Sequence, residues 1–132
     1  MNEIYLYGYV GDPDGITAKQ VAGELQGRTG DITIHLFSKG GDIFEAAAVY
    51  ALLSQYKSRG KVIIMIEGVA ASAGSYIAMV GDEIIMETNA QMMLHNAWTI
   101  AVGNKNDLRE EADRIEALQE SMVQAYMAKS GP

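Results

Sequence analysis

An α/β fold built on a mainly parallel sheet is predicted by three features of this 132-residue chain. Strand-like apolar runs recur at residues 4–10, 32–37 and 62–66, stretches with helical spacing lie between them, and glycine-containing turns mark the hand-overs. Strands that alternate with helices in this way return in parallel through right-handed crossovers, with helices on the faces of the sheet.

Ile4, Leu6 and Val10 alternate with Tyr5, Tyr7 and Tyr9, which gives a first strand with two distinct faces. After the turn cluster Gly11-Asp12-Pro13-Asp14-Gly15, Thr17 and Gln20 have capping-box spacing. Ala18, Val21, Ala22 and Leu25 then recur at helical spacing. Ile32, Ile34 and Leu36 alternate with Thr33, His35 and Phe37 in a second strand that ends at Ser38-Lys39-Gly40-Gly41. Phe44, Ala47, Ala48, Ala51 and Leu52 line one face of a second helix reaching about residue 57.

Val62-Ile63-Ile64-Met65-Ile66 reads as a strand buried on both faces, and Gly74 to Val80 as the start of a buried helix. Short strands are expected at 83–86 and 91–94. Beyond the break Gly103-Asn104-Lys105-Asn106, a helix over 107–129 carries Asp107, Glu110 and Glu111 in its first turn, where acids favour the helix dipole. Its apolar seam is Leu108, Ala112, Ile115, Met122 and Tyr126, interrupted by Gln119. At about 34 Å this helix is long for one small domain, so part of it is expected to project toward another subunit.

A chain of this length with 48% hydrophobic residues is expected to form one domain over 1–132. Fourteen Gly against two Pro favour tight turns over a disordered chain. The absence of Cys excludes a disulfide scaffold, a thiol nucleophile and a thiolate metal site, and fits a reducing compartment. A net charge of −7 with no Lys/Arg cluster argues against nucleic acid as a partner. Met1-Asn2-Glu3 does not open a signal peptide, so a cytoplasmic location is expected. Residues 62–80 are apolar enough to consider as a membrane span. Glu67 and the Gly, Ala and Ser beyond it favour a strand-turn-helix, and no membrane partner is expected.

The chemistry concentrates in Gly68-Val69-Ala70-Ala71-Ser72-Ala73-Gly74. This stretch sets one hydroxyl at a strand-to-helix turn, where free N–H groups favour developing negative charge. Ser72 is therefore a candidate nucleophile, against the alternative of a small residue that permits close packing. His95, in Met92-Met93-Leu94-His95-Asn96, is its candidate general base or else a satisfied histidine at a strand end. Gly40-Gly41 also stands where a strand hands over to a helix. If the two turns are adjacent, the N–H groups of Gly41 and Ala73 can receive an oxyanion. A phosphate cradle is the competing reading, but the glycine spacing matches no phosphate-loop pattern. His35 is read as structural, and two isolated histidines without metal-ligand spacing predict no metal.

The succession Phe37-Ser38-Lys39-Gly40-Gly41-Asp42, Gly68 to Ser75, and Met93-Leu94-His95-Asn96 resembles the Clp protease proteolytic subunits. It is most similar to the Clp-like head-maturation (prohead) proteases of tailed bacteriophages and prophages. Tyr5-Leu6-Tyr7-Gly8 and Gly81-Asp82-Glu83-Ile84-Ile85-Met86 add to the resemblance, which covers residues 4 to about 131. It implies a crotonase-like spiral of β-α-β units with the helix from Asp107 as a projecting handle. It also implies Ser72 as nucleophile, His95 as base, Gly41 and Ala73 as oxyanion donors, and no cofactor. Partners implied are a polypeptide substrate bound as an extended strand and further copies of the chain in heptameric or stacked rings.

The implied function is an ATP-independent serine endopeptidase acting on capsid or scaffold proteins, in the bacterial or infected-cell cytoplasm or within the prohead. The alternatives are an ATPase-dependent Clp subunit, a non-catalytic ring-forming module, and an acyl-CoA enzyme of the crotonase type. Lys39 stands where the family usually has Pro. The family's third triad residue, an acid, lies beyond the handle and has no match here, so the chain is expected to be C-terminally truncated.

Overall fold

The computed structural model describes residues 2–93 and 103–130, which fall into two compact units, 1–94 and 95–132. In the first unit the order is β1 (Glu3–Tyr7), α1 (Ala18–Leu25), β2 (Ile32–Ser38), α2 (Ile43–Tyr56), β3 (Val62–Ala71), α3 (Ala73–Ala78), β4 (Glu83–Met86) and β5 (Gln91–Met93). All pairings are parallel. The sheet runs β1-β2-β3-β4, and β5 adds to the far half of the β3 edge that β4 occupies first. This mixed α/β architecture agrees with the predicted fold class.

Each crossover steps the same way along the sheet. Right-handed connections repeated in one direction return on the same side, so the helices collect on one face instead of two. Beneath them lie Ile4 and Leu6, Ile32, Ile34 and Leu36, and Val62, Ile64 and Ile66, all essentially inaccessible. The opposite face carries Tyr5, Tyr7, His35, Phe37, Met65 and Glu67. Tyr5 is 54% exposed, and Met65 is half-buried. The expectation that residues 62–66 are buried on both faces is thus corrected, because helices of this unit cover only one.

Three other differences have local causes. The first strand stops at Tyr7 because Gly8 turns the chain at φ 111°. Val10 remains buried through isolated bridges to Ile16 and Gly41. The buried stripe of α2 is Ile43, Ala46, Val49, Leu53 and Tyr56, not the expected set from Phe44 to Leu52. The helix is apolar on more than one side, so spacing alone does not choose its core-facing stripe. The third strand continues past residue 66 because its far half pairs with β5, after a kink at Gly68, φ 73°. The β2–β3 register jumps there, from Leu36 opposite Ile66 to Ser38 opposite Ala70.

At the start of α1, Thr17 Oγ1 accepts from the Gln20 N–H at 3.1 Å, as the capping spacing predicts. Glu45 of α2 accepts from the Ala18 N–H at 3.0 Å, a tie the sequence does not announce.

The second unit contains α4 (Lys105–Ser130), about 39 Å long. It begins two residues before the expected start because Asn104 caps it. Asn104 Oδ1 accepts from the Asn106 and Asp107 N–H groups, both at 2.9 Å, and Asp107 Oδ2 accepts from the Asn104 N–H at 3.1 Å. Glu110 and Glu111 consequently fall beyond its first turn. Leu108, Val123 and Met127 are exposed along it. Among the described residues no helix is long and apolar enough to cross a membrane.

On the open sheet face, His35 Nδ1 lies 2.8 Å from Glu67 Oε2 and Nε2 lies 3.3 Å from Glu3 Oε1. Tyr7 donates its hydroxyl to Glu67, and Tyr5 stacks on the imidazole. Partial burial pulls His35 down, but the hydrogen bonds and charges of Glu67 and Glu3 together hold it above its ordinary 6.5. The hydrogen bond from Tyr7 and then, against partial burial, that with His35 hold Glu67 below 4.5. The same Tyr7–Glu67 bond, with burial and the carboxylate charge, pushes Tyr7 up to about 12.

A raised imidazole stabilises the fold fully below 6.5, and this is lost as pH rises through the folded value. A lowered carboxyl stabilises above 4.5 and loses this as pH falls through its folded value. Both contributions coexist between 4.5 and 6.5. The Tm difference between wild type and His35→Gln should therefore be largest in that window and shrink on either side. A difference that stays flat across the range would contradict the linkage.

Candidate active site

Two turns meet at the C-terminal edge of the parallel strands. One is Lys39-Gly40-Gly41 between β2 and α2, and the other is Ser72 between β3 and α3. The conditional expectation that they are adjacent is met. A Cβ built on Gly40 would stand 2.8 Å from Ser72 Cβ and 3.3 Å from Ser72 Oγ, so only a hydrogen fits between them.

Ser72 has φ 55° and ψ −124° and is the only non-glycine at positive φ among the described residues. Such a backbone costs roughly 1–3 kcal/mol and persists only where its surroundings impose it. Here the Ser72 N–H donates to Met93 O at 2.9 Å. Its carbonyl accepts from the N–H groups of Ser75 (3.0 Å) and Tyr76 (3.2 Å) and from Ser75 Oγ (2.6 Å).

The conformation also decides what the hydroxyl does. A serine before a helix ordinarily accepts a bond from the helix N-terminus, yet Ser72 makes no side-chain cap bond. Ser72 is half-buried, and its Oγ has no partner among the described residues. Neither has the Ala73 N–H, the first of α3.

The Gly41 N–H is set by its own peptide group. The Gly40 carbonyl accepts from the Val10 N–H at 2.8 Å. In a trans peptide the N–H points opposite the C=O, so the Gly41 N–H is turned away from Val10. No described residue accepts it there. Val10 O also accepts from the Asp42 N–H at 2.8 Å, and a Cβ on Gly41 would come within 2.2 Å of that oxygen. Asp42 then caps α2, accepting from the N–H groups of Phe44 (2.8 Å) and Glu45 (3.2 Å).

Of the residues expected to form a site, Ser72, Ala73 and Gly41 are thus gathered at one edge. His95 lies outside the described residues. His35 belongs to the open sheet face and its carboxylates, in keeping with a structural role. Ser38 is missed by motif reading. It is 1% exposed and directly beneath the glycine turn. The period-two pattern Ile32, Ile34, Leu36, Ser38 does place it on the buried side, and a buried hydroxyl in an apolar row requires a partner. A cleft of about 170 Å³ lined by Gly8, Tyr9, Phe37, Ser38 and Lys39 adjoins this turn. A larger one, about 200 Å³, lies between α1 and α2 around Tyr56 and Arg59, away from both turns.

Replacing Ser72 by Gly relieves the positive φ, whereas Ala retains it. Ser72→Gly should be about 1 kcal/mol more stable than Ser72→Ala by denaturant midpoint, despite glycine's larger unfolded-state entropy. The reverse order would mean that the turn is unstrained. Gly40→Ala should destabilise by roughly 1–3 kcal/mol, because its Cβ meets Ser72 Cβ and Ala71 O with no free space to move into.

Comparison with known proteins places this geometry in a family. The Clp protease family model matches residues 3–132. An ATP-dependent Clp protease proteolytic subunit of Borreliella afzelii is 28% identical over 124 residues, covering 91% of this chain and 62% of that protein. The subunit of Deinococcus radiodurans is 25% identical over 126 residues, covering 89% and 61%. Subunit 2 of Parasynechococcus marenigrum is 24% identical over 118 residues, covering 88% and 59%. The chain spans about three fifths of the length of these curated relatives. With the family model matched along nearly its whole length, and with the α/β fold described above, this chain belongs to the Clp protease family.

Proposed function

We propose that the chain carries the catalytic machinery of a serine endopeptidase. Ser72 Oγ attacks the scissile carbonyl of a polypeptide lying extended beside the Gly40-Gly41 turn, and His95 takes the hydroxyl proton. The N–H groups of Gly41 and Ala73 stabilise the oxyanion. Collapse releases the amine, protonated by His95, and leaves an acyl group on Ser72 that water removes. The observation that carries this reading is the strained Ser72 turn beside Gly40, its hydroxyl without a partner among the described residues, in a chain of this family. In the sequence His95 follows two residues after Met93, whose carbonyl holds the Ser72 N–H.

The finer reading is ATP-independent cleavage of capsid or scaffold proteins during phage head maturation, supported by the sequence resemblance. The relatives' names favour a second reading, a proteolytic subunit that works with an ATPase. Either enzyme acts as a ring of identical subunits. The half-exposed aromatic face of the sheet and the exposed Leu108, Val123 and Met127 supply apolar surface for such contacts.

A fluorophosphonate should label wild type at Ser72. Ser72→Ala should abolish labelling, and His95→Ala should reduce it by at least about 10²-fold. Labelling that survives in Ser72→Ala would overturn the assignment. Cleavage of a folded capsid or scaffold polypeptide without nucleotide would favour head maturation. Cleavage confined to unfolded chains or short peptides would favour the ATPase-coupled subunit.

A further inference from the structure

The Gly40-Gly41 turn has two flexible residues in succession, at φ 113° and 140°, and a rate-enhancing N–H must nonetheless stay aimed. From one side Val10 fixes the Gly40 carbonyl. From the other, the Gly40 N–H donates to Ser38 Oγ at 3.2 Å, a buried bond. Ser38 is the last residue of β2 and is paired with Ala70 across the β3 irregularity. Its side chain also abuts the helix that follows the nucleophile. A Cβ on Gly74 would lie 3.0 Å from Ser38 Cβ and 3.3 Å from its Oγ. One buried side chain therefore bonds to the glycine turn and packs against the helix that follows Ser72.

We propose that Ser38 is a positioning residue for oxyanion stabilisation. By holding the Gly40 N–H it restrains the peptide plane before Gly40. With Val10 on the next plane, it keeps the Gly41 N–H from rotating away. This rests on the reading of Ser72 as nucleophile and of Gly41 as an oxyanion donor. Alanine at Ser38 leaves the buried Gly40 N–H without its acceptor, and the turn relieves this by rotating.

The test compares wild type, Ser38→Ala and Ser38→Cys in their reaction with a fluorophosphonate. It also records the 31P resonance of the phosphonylated Ser72, whose P=O oxygen occupies the oxyanion position, and KM and kcat for a peptide substrate. Ser38→Ala should react about 10- to 100-fold more slowly, short of the roughly 10²–10³ for loss of a donor outright. Its 31P resonance should shift, and kcat should fall with KM unchanged. Ser38→Cys keeps a weak acceptor of similar size and should lie between, which supplies the answer should the alanine variant fail to fold. Wild-type rate and resonance in a folded Ser38 variant would overturn the proposal, as would a change confined to KM. A wild-type protein that does not react at Ser72 would instead overturn the nucleophile reading, and the proposal with it.

Discussion

Parallel strands joined by crossovers that always step the same way impose two consequences at once. The C-terminal ends of β1, β2 and β3 are delivered to one edge, and the helices to one face. The first consequence creates the site, because the turns after β2 and β3 meet at the same edge without any long loop to bring them together. The second leaves Tyr5, Tyr7, Phe37 and Met65 half-covered or exposed, with His35 satisfied laterally by Glu3 and Glu67. The site and the open face share one topological cause.

Ser72 illustrates how strain is held. Its carbonyl receives three bonds from the first turn of α3, and its N–H joins the end of β5. Those bonds are ordinary in length, and all of them anchor the backbone. None consumes Oγ, so the turn is fixed while its hydroxyl is left uncommitted among the described residues. The glycine at position 40 completes the arrangement, since a Cβ there would come within 2.8 Å of Ser72 Cβ.

Features written in local turn chemistry were legible in the sequence. The small residues around Ser72, the Gly40-Gly41 pair and the Thr17 cap each reflect a constraint within a few residues, and the structure bears out their placement. Features decided by packing between distant segments were not. The buried stripe of α2 is invisible in a helix apolar on several sides. The extension of β3 depends on β5, and the Glu3–His35–Glu67 cluster depends on register across three strands. Ser38 falls between these cases. Its inward position follows from alternation, but its partner is a glycine N–H that no side-chain pattern reveals.

The peptide group between Gly40 and Gly41 is rigid and has two ends. Its oxygen is fastened to Val10, in the stretch that follows β1, while its N–H is turned away from Val10 at the C-terminal edge of the strands. Gly8 and Gly11 flank that stretch at φ 111° and 94°, and their N–H groups donate to Phe37 O at 2.9 Å and Ile16 O at 2.8 Å. A planar amide cannot turn at one end only. The Val10 N–H that holds the Gly40 oxygen therefore also sets the direction of the Gly41 N–H. The segment after β1 thus contributes to the geometry of that edge through one peptide plane.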